Sequence, residues 1–310
     1  VGAELSPEAV RPWLRSRAGP EGLELTVDEE RIVADLPGLL PGLGQAPVDA
    51  GLRVEGDGVV VVPSGDGTTC CGPEAPALIR EALLDRPPGP VALPLTAKAP
   101  ERTSEEAAAL GVTRPVATFT TRHAAGESRV TNIHRIADLV RGVVIEPGAS
   151  FSVNGFVGRR TRENGFVEGG VIEDGVFQTS VGGGISQFAT TLFNAAFFGG
   201  LDFEAYQSHS LYISRYPFGR EATLSFPEPD LEVSNPTPYG ILVWPTYDAS
   251  SITVTLWSTP SVSAVQSAQS RVPVGPCTRV NTERTRTWLD GRKEVDEVHA
   301  TYRPREGVDC

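Results

Sequence analysis

Apolar positions along the chain fall in short runs divided by turn residues, with two or three stretches long enough for a substantial helix. Val59–Val62, bounded by Asp57-Gly58 and Pro63, reads as a buried strand. Pro73–Leu84 reads as a helix whose Pro73 and Pro76 fit only its first turn and which Pro87-Pro88 ends. Val91–Leu95 resumes a strand, and Ser6-Pro7 opens an earlier helix carrying Val10, Trp13 and Leu14, with Pro12 arguing against it. A polar stretch from Thr96 to about Glu106 reads as a linker. Beyond it, Thr131–Val140 places Ile133, Ile136, Ala137 and Val140 at helical spacing, and Ser186–Phe198 is a strongly apolar helix closed by Gly199-Gly200. Leu211–Ile213, Ala222–Phe226, Ile241–Pro245 and Ile252–Trp257 read as strands, a Ser/Val/Gln-rich linker follows, and Asp290-Gly291 marks the turn of a hairpin. The pattern is α+β rather than alternating βαβ. It divides into a small N-terminal α/β module (1–104), a central mixed β-rich domain built around the Ser186–Phe198 helix (105–258) and a C-terminal β-hairpin extension (259–310).

Composition narrows the function classes. The 33 Gly and 26 Pro supply the turns, while 40% apolar residues suffice for a core. With 27 Lys+Arg against 39 Asp+Glu the net charge is −12, which argues against nucleic-acid phosphate or an anionic lipid surface as the main partner. No apolar run reaches the roughly 18 residues needed to span a bilayer. Methionine is absent even from position 1, so the chain reads as a trimmed product, with any signal peptide or membrane anchor upstream of Val1. The cysteines Cys70, Cys71, Cys277 and Cys310 allow three connectivities. Pairing Cys277 with Cys310 would tie down the terminus and stabilise by about 3–4 kcal/mol in the chain-entropy model, leaving Cys70–Cys71 as a vicinal bridge. Zinc binding lacks the CxxC spacing and a nearby His. Disulfides, and with them an extracytoplasmic compartment, are the favoured reading, and neither metal nor cofactor is expected.

Three sets of residues could carry chemistry. Gly182-Gly183-Gly184 precedes the apolar helix, whose start offers unpaired N–H groups and a positive dipole end. Ser186 at that start is placed for nucleophilic attack beside oxyanion donors, or else serves only as an N-cap. A phosphate-binding loop is disfavoured because no Lys follows the glycines. His209, in Ser208-His209-Ser210, is the candidate base, its alternative being a hydrogen-bonded structural histidine. Arg159, Arg160, Arg162, Arg215 and Arg220 could bind carboxylates, or pair with Glu163, Glu168 or Glu221 on the surface.

An ordered series of motifs resembles a known family. Arg129-Val130-Thr131-Asn132-Ile133, Pro147-Gly148 with Phe151-Ser152-Val153-Asn154, and Gly158-Arg159-Arg160-Thr161 are followed by Gly182-Gly183-Gly184-Ile185-Ser186-Gln187, His209-Ser210, Gly219-Arg220-Glu221-Ala222-Thr223 and Asp230-Leu231. Together they resemble the VanW family of bacterial cell-envelope proteins over about Thr113–Tyr247. The preceding module is similar to the peptidoglycan-binding domain that often precedes VanW domains. The family pattern has a cysteine where this chain has Ser186. Where the cysteine is kept, the resemblance implies L,D-transpeptidase chemistry, with a thiolate attacking a stem-peptide carbonyl. On that pattern Ser186 takes the nucleophile position and His209 the base. Backbone N–H groups of Gly183–Ser186 take the oxyanion site, with Gly183, Gly184, Arg159, Arg220 and Asn154 toward substrate. A serine hydroxyl is not ionised near neutral pH and leans wholly on its base. The expectation is therefore an extracytoplasmic wall protein that binds peptidoglycan without cross-linking it, the alternative being an active acyl transferase.

Overall fold

The computed structural model describes residues 2–20, 22–85, 87, 89–173, 176–305, 307, 308 and 310, with backbone alone at 171–173, 176 and 177. Two compact units emerge, Val1–Gly51 with Val62–Ala107, and Leu52–Val61 with Ala108–Cys310.

In the first unit a short helix α1 (Pro7–Val10) is capped by the Ser6 hydroxyl, which accepts from Ala9 N–H. Strands β1 (Leu14–Gly19) and β2 (Gly22–Val27) form a hairpin, followed by α2 (Glu29–Leu39) and β3 (Gly44–Gln45). Strands β4 (Gly51–Glu55) and β5 (Gly58–Val62) are a hairpin of their own, whose residues 52–61 fall in the second unit. Then come β6 (Gly67–Cys70), α3 (Ala75–Leu84) and β7 (Leu95–Lys98), with sheet order β3-β6-β7. Trp13, Ile32, Leu36, Leu40, Ala75 and Ile79 form the core. Two expectations are corrected here. Val91–Pro94 is not strand: Pro90 and Pro94 supply no ladder donor, and pairing starts at Leu95. The stretch 96–106 is not a linker, since its first residues belong to β7 and its last to α4 (Ser104–Ala109). Thr103 and Glu106 make a reciprocal capping box at the start of α4.

The second unit contains β8 (Arg114–Arg122), α5 (Ser128–Val140), β9 (Val143–Ile145), β10 (Ser150–Ser152), α6 (Val153–Val157), β11 (Glu168–Glu173), β12 (Val176–Val181), α7 (Ser186–Gly199), β13 (Asp202–Ala205), β14 (Glu232–Ser234), β15 (Ile241–Tyr247), β16 (Ser251–Ser258), β17 (Val262–Val274), β18 (Cys277–Trp288) and β19 (Lys293–Tyr302). Its sheets run β8-β16-β15-β9, β10-β14-β13, β11-β12 and β17-β18-β19. The mixed α+β class is as the sequence pattern expects. Helix α7 is the centre of the core, with Phe188, Leu192, Phe193 and Phe197 packed among Ile133 and Ile136 of α5 and Val254 and Leu256 of β16.

A wholly buried helix still carries polar residues, and their spacing explains another correction. Ser186, Thr190 and Asn194 stand four residues apart on one face of α7. Thr190 Oγ1 both donates to Ala222 O (3.0 Å) and accepts from Ala222 N–H (3.2 Å). Asn194 Nδ2 donates to Arg220 O (3.0 Å), and Ser186 Oγ accepts from Leu224 N–H (3.1 Å). Residues 222–226 therefore form no strand, because helix side chains take the backbone groups that a neighbouring strand would pair. Residues 211–213 are not strand either: the chain turns back there, Tyr216 N–H donating to Ile213 O (2.9 Å).

The expected Ser/Val/Gln linker is the strand β17, and residues beyond 258 bond the end of α7. Arg284, 1% exposed, donates from Nη1 to Phe197 O (3.0 Å) and Leu201 O (2.8 Å) while bonding Asp296 at 2.8 and 2.7 Å. Arg286 adds a bond to Gly200 O (3.2 Å). The carbonyls that end α7 without helical partners are thus capped by β18. Cys277–Cys310 joins the start of β18 to the chain end, and Cys70–Cys71 is the other disulfide.

Candidate functional site

A cleft of about 850 Å³ opens in the second unit, and both Ser186 and His209 line it. Ser186 is the first residue of α7; Ile185 holds the N-cap place, and Ser186 makes no capping bond to its own helix. Its Oγ instead accepts from Leu224 N–H and lies 3.3 Å from Thr223 Oγ1. The plain N-cap alternative is thereby excluded. His209 is 7% exposed, and its Nδ1 sits 2.8 Å from Oε2 of Glu221, a carboxylate only 1% exposed. A ring nitrogen donating to a carboxylate fixes orientation and tautomer, leaving Nε2 as the nitrogen able to take a proton. Tyr216 flanks the imidazole at 5.5 Å between ring centroids, and burial pushes its phenol pKa up.

The glycines serve packing more than ligand approach. Gly182 N–H donates to Val167 O (2.9 Å) and Gly183 N–H to Ser180 O (3.0 Å). A Cβ on Gly183 would collide with the Gly169 backbone, and Asn132 clasps this junction, donating to both Val167 O and Gly183 O at 2.9 Å. Gly184 has φ +89° with the Arg129 side chain against it, a position closed to other residues on both counts. Gly183 accordingly drops out of the expected oxyanion set and does not line the cleft, whereas Gly184, Ile185 and Ser186 do.

Three other expected contacts lie elsewhere. Asn154 is buried and braces the cleft's outer loop, its Nδ2 donating to Ser225 O (2.6 Å), Pro227 O (2.8 Å) and Pro229 O (3.3 Å). Arg160 bonds Asn154 Oδ1 (2.5 Å), and burial lowers its guanidinium pKa to about 10. Arg159 is exposed and absent from the cleft lining. Arg220 stacks on Phe197 and Phe198, 5.3 and 4.8 Å from their ring centroids, and is likewise outside the lining. Arg162 pairs with Glu168 on the surface. Of the five arginines considered from sequence, only Arg215 lines the cleft, joined by Arg129 and Arg303, which sequence reasoning passed over. Glu221, read from sequence as a surface partner for the arginines, is instead the buried partner of His209. A second hollow, in the first unit, is lined mostly by apolar side chains such as Leu5, Leu43 and Leu83 and holds none of these residues.

Residues 128–257 match the family described as VanW like protein. The uncharacterized protein YoaR of Bacillus subtilis (strain 168) is 34% identical over 155 residues, which cover 49% of this chain and 51% of that protein. The chain thus spans about half the length of the curated relative it matches. No solved structure matches it. Ser186, His209, Glu221 and the clasp at Asn132 all fall inside the matched stretch, and residues 128–257 of the chain form a VanW-like domain.

Proposed function

We propose that the chain is an extracytoplasmic cell-wall protein that binds peptidoglycan stem peptides in the Ser186–His209 cleft without forming an acyl bond. The observation that carries this reading is the engagement of Ser186 Oγ. It is an acceptor for Leu224 N–H and a partner of Thr223, and His209 is not among its hydrogen-bond partners. An alcohol needs a base on its proton to attack a carbonyl, and no hydrogen bond joins Ser186 Oγ to the imidazole that Glu221 orients. Cleft shape, helix-start amides and arginines remain able to hold a peptide. The test pairs two assays: co-sedimentation with insoluble peptidoglycan, and intact mass after incubation with a tetrapeptide-bearing muropeptide. Sedimentation without a mass increase is expected for the parent chain, with an acyl adduct in Ser186→Cys. An adduct on the parent, lost in Ser186→Ala, overturns the non-catalytic reading.

The buried Glu221–His209 pair favours a second reading, an active serine acyl transferase, because an oriented imidazole is what an alcohol nucleophile requires. The adduct assay decides between the two.

A further inference from the structure

Three guanidiniums reach the cleft from separate parts of the chain. Arg129 comes from the first turn of α5, Arg215 from the loop after His209, and Arg303 from just past β19. Glu127 and Glu228 are the acidic side chains of the same lining. Glu127 is already engaged: Arg129 Nε donates to it at 2.5 Å, while Arg129 Nη1 donates to Gln187 Oε1 at 3.0 Å. Arg215 lies over the Tyr216 ring at 5.4 Å and makes no ion pair among the described residues. Tyr216 in turn packs against His209, and all three side chains line the cleft.

Arg303 is placed by a backbone rail. Alternate residues of β19 and its end bond the His209 segment: His299 N–H to Tyr206 Oη (2.9 Å), Thr301 N–H to Ser208 Oγ (3.3 Å) and Arg303 N–H to Ser210 O (2.7 Å). Between the last two, Tyr302 Oη accepts from Gly219 N–H (3.0 Å), two residues before Glu221. Arg303 is thus in register with Ser208-His209-Ser210, although it lies outside the matched stretch 128–257.

We propose that Arg215 and Arg303 form a carboxylate-binding subsite beside His209, so that the cleft selects peptides with free carboxylates over their amides. The proposal rests on the stem-peptide reading above. Planar guanidinium forks match carboxylate geometry in a way point charges do not. In a chain of net charge −12 the long-range field repels an anion, so a local cluster of guanidiniums is what admits one.

The test is calorimetric titration of the full chain with a synthetic stem tetrapeptide and with the same peptide whose carboxylates are converted to primary amides. The acid form is expected to bind at least about tenfold tighter, the scale of one charge-assisted hydrogen bond. Arg215→Gln and Arg303→Gln should each pull that ratio toward one, Arg215→Lys should restore it only in part, and Arg159→Gln should leave it unchanged. Thermal melts of each variant separate misfolding from lost recognition. Equal affinity for acid and amide in the parent, or a ratio that survives the double Gln variant, overturns the subsite. If neither peptide binds while the protein still sediments with peptidoglycan, the subsite falls and the wall-binding reading stands. If sedimentation fails as well, both fall.

Discussion

Replacing Thr190 by Val tests whether side chains of α7 stand in for a missing strand. The exchange keeps the branched shape and deletes one hydroxyl. That hydroxyl makes both bonds to Ala222, a residue with no exposed surface, so Val strands a buried N–H and a buried C=O together. Each stranded group costs about 1–3 kcal/mol, and relaxation recovers part of the sum, giving about 2–5 kcal/mol. At about 2–4 °C per kcal/mol for a unit of this size, Tm of the second unit should fall by roughly 5–15 °C. Differential scanning calorimetry of the full chain reads this, with Thr118→Val as control, an exposed threonine bonded only to Thr255. Because Leu224 follows two residues on and bonds Ser186, peptide affinity in the cleft should weaken in Thr190→Val beyond the loss of stability. A Tm within about 2 °C of the control's would refute the reasoning, since two stranded buried groups cannot cost so little.

Other perturbations follow from the same geometry. Arg284→Met removes the bonds to Phe197 O, Leu201 O and Asp296, and should destabilise the second unit by about 3–5 kcal/mol in urea unfolding. Asn154→Ala releases three carbonyls of the 225–229 loop and Arg160 together; about 1–3 kcal/mol of lost stability is expected, with faster amide exchange across 224–230. Asp248 is held at a pKa of about 2 by the Ser250 N–H first, then by the Ser251 hydroxyl. A carboxylate depressed in the fold contributes stability above its unfolded pKa of about 3.9 and loses it as pH falls through the folded value. Acid titration of Tm should therefore steepen between about pH 4 and 2 in the parent and less so in Asp248→Asn.

The sequence was most legible where one period dominated. Helix α7 and the strands at 241–247 and 251–258 follow from dense apolar stretches with glycine or turn residues near their ends. Legibility failed where backbone groups found partners that local pattern does not encode. Residues 222–226 look like a strand because they alternate, yet the Ala222 and Leu224 N–H groups go to a helix more than thirty residues earlier in the chain, and those of Thr223 and Ser225 to Gln207 O and Pro229 O. The Ser/Val/Gln stretch looks like a linker because it is polar, yet as an edge strand β17 needs only one paired side. At the site, Ser186 and His209 were visible as residue types in a motif, and they do share one cleft. Glu221 and Arg129 stood in the motifs without their roles being legible, and Arg303 stood outside them, because those roles depend on burial and on register across elements far apart in sequence. Arg159, Arg220 and Asn154 erred the other way: a cation or amide near a motif was read as facing ligand, while the fold uses two of them against rings and carbonyls.

Ser186, the nucleophile position on the reading proposed above, is also the first rung of the polar ladder, and this bears on what serine does there. Oxygen is a strong hydrogen-bond acceptor and sulfur a weak one. A cysteine at 186 would gain a nucleophile ionisable near neutral pH at a helix start, and would hold Leu224 N–H less firmly. Serine makes the opposite exchange: no thiolate forms, and Leu224 N–H in the wall formed by 223–225 is pinned at 3.1 Å from Oγ. A peptide-binding cleft profits from a fixed wall, because a preorganised surface pays no ordering entropy when ligand arrives. An acyl-transfer site profits instead from a group free to move onto the carbonyl. On the reading proposed above, the bond between Ser186 and Leu224 suits a cleft that holds its peptide rather than one that reacts with it.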